Sequence, residues 1–180
     1  MNALQKLNLM RQAGGSRRTV GLPDATIERF LKTDPLLAQA IDEGYAACEA
    51  ARAEFPSLLA LDEPQQMAEV QAGFVNFYAE DAVNPYVALA ARGPWVITLK
   101  GAVVHDNGGY GMLGAGHAPQ FVIDAMARPQ VMANIMTPSL SHLRLTQALR
   151  REIGHARGGC PYTHFLCLNS GSESVTLAGR

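Results

Sequence analysis

Residues 95–109, WVITLKGAVVHDNGG, contain two runs of aromatic and β-branched residues, at 95–99 and 102–105. Such residues favour strands. The Asp-Asn-Gly-Gly run at 106–109 predicts a reverse turn, because Asn and Gly accept the positive φ that a tight hairpin requires. We expect residues 110–113 to pair back beyond this turn, so that the region forms a small antiparallel sheet.

The sequence before this sheet is predicted to be helical. Asp34 and Pro35 are typical of a helix start, since Asp accepts a hydrogen bond from a free amide and Pro lacks an amide that would stay unpaired. This helix should end at Pro56, and another should run from Pro64 to Asn84. The apolar residues whose helical spacing predicts a buried face are Leu37, Ile41, Cys48, Ala51 and Phe55 in the first helix, and Met67, Val70, Phe74, Phe77 and Tyr78 in the second.

The sequence after the sheet alternates between helix and strand signals. Helices are expected at 119–127 and at 141–155, the second with Leu145, Leu149 and Ile153 in register. A short strand is expected at 164–168, followed by a last helix. The chain thus divides into a helical N-terminal extension at 1–90, a small antiparallel segment at 91–135 and the beginning of a further domain at 136–180.

The bulk composition limits the classes of function. Of the 180 residues, 48% are hydrophobic, which suffices for a core. A net charge of -1 argues against nucleic-acid binding, which usually needs a concentrated basic excess. No apolar run approaches the roughly 18 residues of a membrane span, so no membrane partner is expected.

The N-terminus and the cysteines bear on localisation. Three cysteines form no framework of pairs, which fits a reducing compartment, and a cytoplasmic location is expected. Residues 1–23 carry four basic residues and no acidic one, with Leu4, Leu7 and Met10 as a short apolar face. We read this as a basic, frayed terminus, and a mitochondrial matrix location remains the alternative.

The stretch most informative about function is residues 164–180, HFLCLNSGSESVTLAGR. A strand runs into a glycine-containing turn, and the turn begins a helix whose free amides and positive dipole end favour an anion. Gly171 permits close approach of a phosphate, and Ser170 or Ser172 can add a hydroxyl donor. An Asn-Ser-Gly turn also caps helices with nothing bound, so this stretch alone leaves both interpretations open.

Taken with the region before it, this turn makes the chain resemble the class III pyridoxal-phosphate aminotransferases. In that family a strand hairpin is followed by a Gly-His pair and a Pro, two helices, and a strand that ends in Asn-(Ser/Thr)-Gly-x-Glu-Ala. The matching residues here, in the same order over about 95–180, are Gly101, Asp106, Gly108-Gly109-Tyr110, Gly114-Ala115-Gly116-His117-Ala118-Pro119, His142 and Asn169-Ser170-Gly171-Ser172-Glu173. Ser174 departs from the family's Ala, and the helical stretch before residue 90 is longer than the family usually carries.

The resemblance implies an α/β fold of the fold type I PLP-dependent transferases, with 136–180 as the beginning of the large, cofactor-binding domain. It implies that the amides of Gly171 and Ser172, near Ser170, hold the phosphate of pyridoxal 5'-phosphate. It further implies transamination between an amino donor and a keto acid, in a homodimer with the active site at its interface.

The resemblance does not extend to the catalytic amine. The family's Schiff-base lysine would follow the phosphate turn, whereas Lys6, Lys32 and Lys100 all precede it. We therefore expect an N-terminal part of a parent enzyme, inactive alone and with no catalytic residue of its own. His117 is interpreted as a residue at a helix start whose ring bonds the backbone, without a catalytic role.

Two alternatives stay open. The phosphate turn is shared by other fold type I enzymes, such as mutases, racemases and decarboxylases. A different class is a non-catalytic zinc or interaction module, for which Cys160, His164, Cys167 and His155 are possible ligands. His164 and Cys167 would face opposite sides of a strand, so no metal site is expected.

Overall fold

The computed structural model describes residues 1–76, 78–79, 82–107, 114–131 and 136–179. They form a mixed α/β structure with one three-stranded antiparallel sheet of order β1-β2-β3. The chain separates into two units, Met1–Ala127 and Arg128–Arg180. The expected boundary near residue 90 lies inside the first unit, because the N-terminal helices and the sheet share a core.

The elements follow the chain in the order α1 (Ala3–Arg11), α2 (Asp24–Leu31), α3 (Pro35–Glu54), α4 (Pro56–Ala60), α5 (Glu63–Gln71), β1 (Ala88–Arg92), β2 (Trp95–Thr98), β3 (Val103–His105), α6 (Gln120–Met126), α7 (Leu140–Gly154) and α8 (Gly171–Ala178). No helix in the described ranges is both long and apolar enough to cross a membrane.

Helix α3 begins as its sequence predicts. The Asp34 side chain accepts a hydrogen bond from the Leu36 amide at 2.9 Å, and Pro35 occupies the first helical position. The other oxygen of Asp34 accepts a hydrogen bond from Trp95 Nε1 at 2.7 Å. One carboxylate therefore caps the helix and ties it to the start of β2.

The predicted apolar face of α3 is confirmed along most of its length. Leu37, Ile41 and Cys48 are fully buried. Phe55 is 51% exposed, so its predicted burial is wrong. The helix ends at Glu54 and α4 begins at once at Pro56, which makes Phe55 a connecting residue outside the helical face.

The antiparallel sheet is confirmed in part. Strand β2 pairs with β3, with Trp95 opposite His105 and Ile97 opposite Val103. On its other side β2 pairs with β1, which the sequence did not predict. The expected return strand falls within 108–113, outside the described residues.

The frayed start expected for the N-terminus is wrong for α1. Asn2 and Gln5 form a capping box, in which each side chain accepts a hydrogen bond from the other residue's amide at 2.9 Å. Leu7 and Met10 on this helix are fully buried in the core. Two of the four basic residues, Lys6 and Arg11, lie on this helix, which packs against α3.

Two other predictions are wrong. The helix expected to reach Asn84 ends at Gln71, and Phe74 beyond it is 81% exposed. Helix α5 buries Glu63 and Gln66 instead of an apolar stripe, so its burial does not follow the predicted face. Val70 and Tyr78 are also exposed, whereas Phe77 lies outside the described residues.

The strand expected at 164–168 is not formed in the described chain. No neighbouring strand pairs with this segment among the described residues, and a strand needs hydrogen bonds from a partner. The helix before it, α7, was predicted correctly, and Ser139 with His142 forms its capping box. Leu145 on α7 remains exposed.

Helix α3 approaches β2 closely at Gly44. A β-carbon at this position would lie 2.7 Å from Ile97 Cγ2 and 2.9 Å from Ile97 Cβ. Glycine ordinarily costs a helix about 0.5–1 kcal/mol relative to alanine. Gly44 lowers the helix propensity of α3, but its missing side chain allows the helix to lie close to the sheet.

Replacing Gly44 by Ala should therefore lower stability, although alanine is the better helix former. Overpacking of a core costs about 1–3 kcal/mol, which exceeds the gain in propensity. We expect the free energy of unfolding, measured by urea titration, to fall by about 1–2 kcal/mol.

Gly73→Ala is the matched control, because a β-carbon there meets nothing within 4 Å. It should change stability by less than about 0.5 kcal/mol. In the double variant with Ile97→Ala, the Gly44→Ala effect should shrink. Stabilisation by Gly44→Ala alone would contradict the close approach.

Candidate phosphate-binding turn and buried lysine

The start of α8 is held by a reciprocal capping box. Ser170 Oγ accepts a hydrogen bond from the Glu173 amide at 3.2 Å. Glu173 Oε2 accepts hydrogen bonds from the amides of Asn169 at 3.1 Å and Ser170 at 3.2 Å. The Ser-x-x-Glu spacing produces this box, because it places both side chains over the first helical turn.

The box leaves two amides of this helix start available. The backbone N–H groups of Gly171 and Ser172 have no hydrogen-bond partner among the described residues, and both residues are exposed. The Ser172 hydroxyl likewise makes no hydrogen bond within the described part of the chain. Two adjacent free amides at the positive end of a helix dipole favour an anion such as a phosphate.

The three residues predicted to bind the cofactor lie together but have different tasks. The oxygen of Ser170 is already used as a cap, whereas Gly171 and Ser172 face outward. A β-carbon on Gly171 would meet nothing within 4 Å, and its φ is not in the left-handed region. The chain itself therefore does not require glycine here, and only an approaching ligand would.

A cavity of about 500 Å³ adjoins this helix start within the second unit. Leu166, Leu168 and Leu177 supply apolar walls, while Ser172 and Glu173 bring polar groups from α8. An apolar wall beside two free amides suits a ligand with an anionic group on a flat or apolar body.

Lys100 lies far from this turn in sequence and has a different role. Its ammonium donates hydrogen bonds to the carbonyl oxygens of Leu61 at 2.6 Å, Leu59 at 3.2 Å and Gly14. The side chain is only 1% exposed. All three ammonium protons are therefore engaged, and no lone pair is free for attack on a carbonyl.

The charge of Lys100 is balanced by neighbouring carboxylates. Burial lowers the pKa of Lys100, and the negative charges of Asp62 and Glu63 partly oppose this shift. Glu63 is itself buried and accepts hydrogen bonds from the amides of Arg18 at 2.8 Å and Thr19 at 2.6 Å. Sequence analysis missed this arrangement, because lysine and glutamate are usually exposed.

The possible zinc ligands do not converge. Among the described residues no group of three His, Cys, Asp or Glu side chains is placed to hold a metal ion. His155 Nδ1 lies 2.9 Å from the Glu152 carbonyl oxygen, and His164 Nδ1 lies 2.9 Å from Thr163 Oγ1. The zinc-module alternative therefore gains no support from the geometry.

The ring of His117 does not bond the backbone as expected. Its Nε2 lies 3.1 Å from Asp106 Oδ2, while its backbone forms both hydrogen bonds of an isolated bridge with Gly93. The following helix, α6, begins at Gln120 with Pro119 before it, close to the predicted position.

In comparisons with known proteins, the chain matches no family model, no curated protein and no solved structure. Statements about its function therefore depend on its own residues and on the resemblance described above.

Amine acetylation should distinguish the buried lysine from the exposed one. We expect Lys32 to react at least about tenfold faster than Lys100 in the folded chain, because the Lys100 ammonium is enclosed by carbonyl groups. A lowered pKa alone would predict the opposite order, since it increases the reactive neutral amine. Timed labelling with acetic anhydride and peptide mass mapping measures both rates.

The same reaction in 6 M guanidinium chloride is the control, and there all three lysines should react at similar rates. Equal rates for Lys32 and Lys100 in the folded chain would show that Lys100 is accessible and would contradict the enclosed geometry.

Proposed function

We propose that this sequence forms part of a pyridoxal-phosphate-dependent aminotransferase of the class III type, a fold type I enzyme, and that the cofactor's phosphate binds at the start of α8. The observation that carries the proposal is the pair of free, exposed amides at Gly171 and Ser172 in a segment that matches the family's motif.

The residues present fit a phosphate group. Gly171 has no side chain between its amide and the solvent, and Ser172 adds a hydroxyl beside its own amide. The nearby negative charge of Glu173 opposes an anion, but its carboxylate is bonded to the preceding amides. The two free amides and the hydroxyl would therefore hold and orient the phosphate, without a charged side chain.

When bound, pyridoxal phosphate supplies the carbonyl chemistry that moves an amino group from a donor to a keto acid. In the described residues the contribution is binding and orientation alone. Helix α8 would direct its dipole at the phosphate, and Leu166 and Leu168 would exclude water from one side of the cavity. We assign the role of the catalytic amine to none of Lys6, Lys32 and Lys100, because all three precede the phosphate turn, and we propose that the enzyme acts as a homodimer.

The phosphate site can be tested with 4'-deoxypyridoxine 5'-phosphate, which lacks the aldehyde and so cannot react with surface lysines. In amide NMR spectra of the chain, this compound should shift the signals of Gly171 and Ser172. Deoxypyridoxine without phosphate should not. Equal shifts with both compounds, or shifts confined to other amides, would overturn the proposal.

Two substitutions measure the contribution of each group. The side chain of Gly171→Val would block the approach of the phosphate to this amide. Binding should weaken by about one to two decades, because loss of a charge-assisted hydrogen bond costs about 1.5–3 kcal/mol. Ser172→Ala should cost less, since the amide remains. Gly179→Val, at the other end of α8, is the matched control and should leave affinity unchanged. Unchanged affinity in Gly171→Val would reduce this turn to a helix cap.

The reaction itself is tested on the natural protein in which this sequence occurs. That protein should convert a keto acid to an amino acid in a manner that depends on pyridoxal phosphate and on an amino donor. Borohydride reduction with the cofactor should label a lysine other than Lys6, Lys32 and Lys100. Stoichiometric labelling of Lys100 would show that the catalytic amine has been misplaced.

A further inference from the structure

Part of the connection between α1 and α2 is attached to the first unit by polar contacts. We call this part, residues 14–19, the strap. None of its residues has a large apolar side chain, and all but Thr19 are exposed. The chain on either side is anchored in the core, because Ala13 and Leu22 pack against it and the Leu22 amide donates to the Val103 carbonyl at 2.8 Å.

Two consecutive carboxylates at the start of α5 hold the strap backbone. Asp62 Oδ1 accepts a hydrogen bond from the Ser16 amide at 2.5 Å, and the Glu63 amide donates to the Ser16 carbonyl at 3.0 Å. Glu63 Oε2 accepts hydrogen bonds from the amides of Arg18 at 2.8 Å and Thr19 at 2.6 Å. Three amides of the strap are therefore bonded to oxygens that can lose their charge.

Two adjacent glycines let the strap lie against this helix start. A β-carbon on Gly15 would lie 2.0 Å from the Leu61 carbonyl oxygen. The φ angles of Gly14 and Gly15 are 107° and 62°, which disfavour residues with a side chain. The Lys100 ammonium also donates to the Gly14 carbonyl and joins the strap to the segment between β2 and β3. Because glycine has many accessible conformations, this pair can act as a hinge when the contacts break.

We propose that the strap opens as one unit when the two carboxylates are neutralised by acid, while the core beneath it stays folded. A hydrogen bond to an ionised carboxylate is stronger than one to a neutral group, so protonation weakens three contacts together. Little apolar burial replaces them, and segments of this kind open locally at low cost in free energy. The anchors at Ala13 and Leu22 confine the opening to the strap.

The charged groups around the two carboxylates set the direction of the pH effect. Lys100 and Arg18 act on Asp62, and both carboxylates act on Lys100. Hydrogen bonds from Ser16 lower the pKa of Asp62, so its stabilisation of the closed strap is complete above the ordinary pKa and is lost as the pH falls through the lowered one. Burial lowers the pKa of Lys100, so a rising pH does not favour opening.

Amide hydrogen exchange of the wild-type chain at neutral pH measures the opening. The amides of Ser16, Arg18 and Thr19 should share one protection factor, because they are released together. That factor should be at least about a hundredfold below the protection factor of the Cys48 amide in α3, since the core stays folded when the strap opens. Strap amides that exchange only as slowly as Cys48 would overturn the proposal.

A double variant, Asp62→Asn with Glu63→Gln, removes both charges and keeps an acceptor oxygen at each position. Asn also caps a helix about as well as Asp, so the start of α5 is retained. The protection factor of the three bonded strap amides should fall at least about tenfold. A folded double variant with wild-type exchange in the strap would contradict the role of the carboxylates.

Trypsin gives an independent measurement, because Arg17 and Arg18 lie in the strap and cleavage follows the population of the open segment. Cleavage there should be at least about fivefold faster in the double variant than in the wild type. Glu69→Gln is the matched control, since Glu69 is an exposed carboxylate on the same helix away from the strap, and it should cleave at the wild-type rate.

The pH dependence of the wild type completes the test. Below about pH 4 the strap amides should lose protection while the methyl signals of the buried Ile97 stay dispersed. Between about pH 7 and pH 9, tryptic cleavage in the strap should not accelerate relative to that of an unstructured peptide. Loss of the Ile97 dispersion together with the strap protection, or faster cleavage at the higher pH, would overturn the proposal. If the double variant does not fold, these wild-type measurements decide it.

Discussion

The first unit depends on the close contact between α3 and β2. Gly44 lets the helix backbone lie against Ile97, and Asp34 bonds Trp95 at the start of the same strand. Helix α1 then packs on α3, and β1 and β3 flank β2. The helix and the strand are thus joined by an apolar contact and by a hydrogen bond. The neighbouring elements pack against this pair and bury Leu7 and Val103 in the same core.

Around this core, buried charged side chains hold the connecting segments in place, a role that apolar side chains have in other small proteins. The Lys100 ammonium joins the carbonyl groups of three separate positions on the chain, and Glu63 anchors the segment that precedes α2. In the described structure Glu63 Oε1 and Gln66 Oε1 are buried without a hydrogen-bond partner. This network specifies how the connecting segments are arranged, because each ion requires its partners in place.

Local chemistry explains which parts of the fold could be predicted. The start of α3 follows from Asp34 and Pro35, and β2 and β3 follow from their β-branched residues. Strand β1, with its alanines, carries little strand propensity and exists because β2 offers backbone partners. The strand expected at 164–168 does not form although its local strand propensity is strong, because no neighbouring strand pairs with it in the described chain.

The candidate sites show the same division. The helix start at Ser170 and Gly171 could be predicted, because spacing along the chain determines a cap. The approach of His117 to Asp106 could not, since it depends on the bridge between His117 and Gly93, which are distant in sequence. Lys100 gave no local signal of burial, because its three acceptors come from elsewhere in the chain.

The capping box of α8 has a consequence for direction of approach. The Glu173 carboxylate bonds the amides of Asn169 and Ser170, whereas the amides of Gly171 and Ser172 have no partner among the described residues. At the proposed phosphate site a dianion would be repelled by this carboxylate and attracted by the two free amides. The glutamate that caps the helix would thereby favour one orientation of a bound phosphate over others.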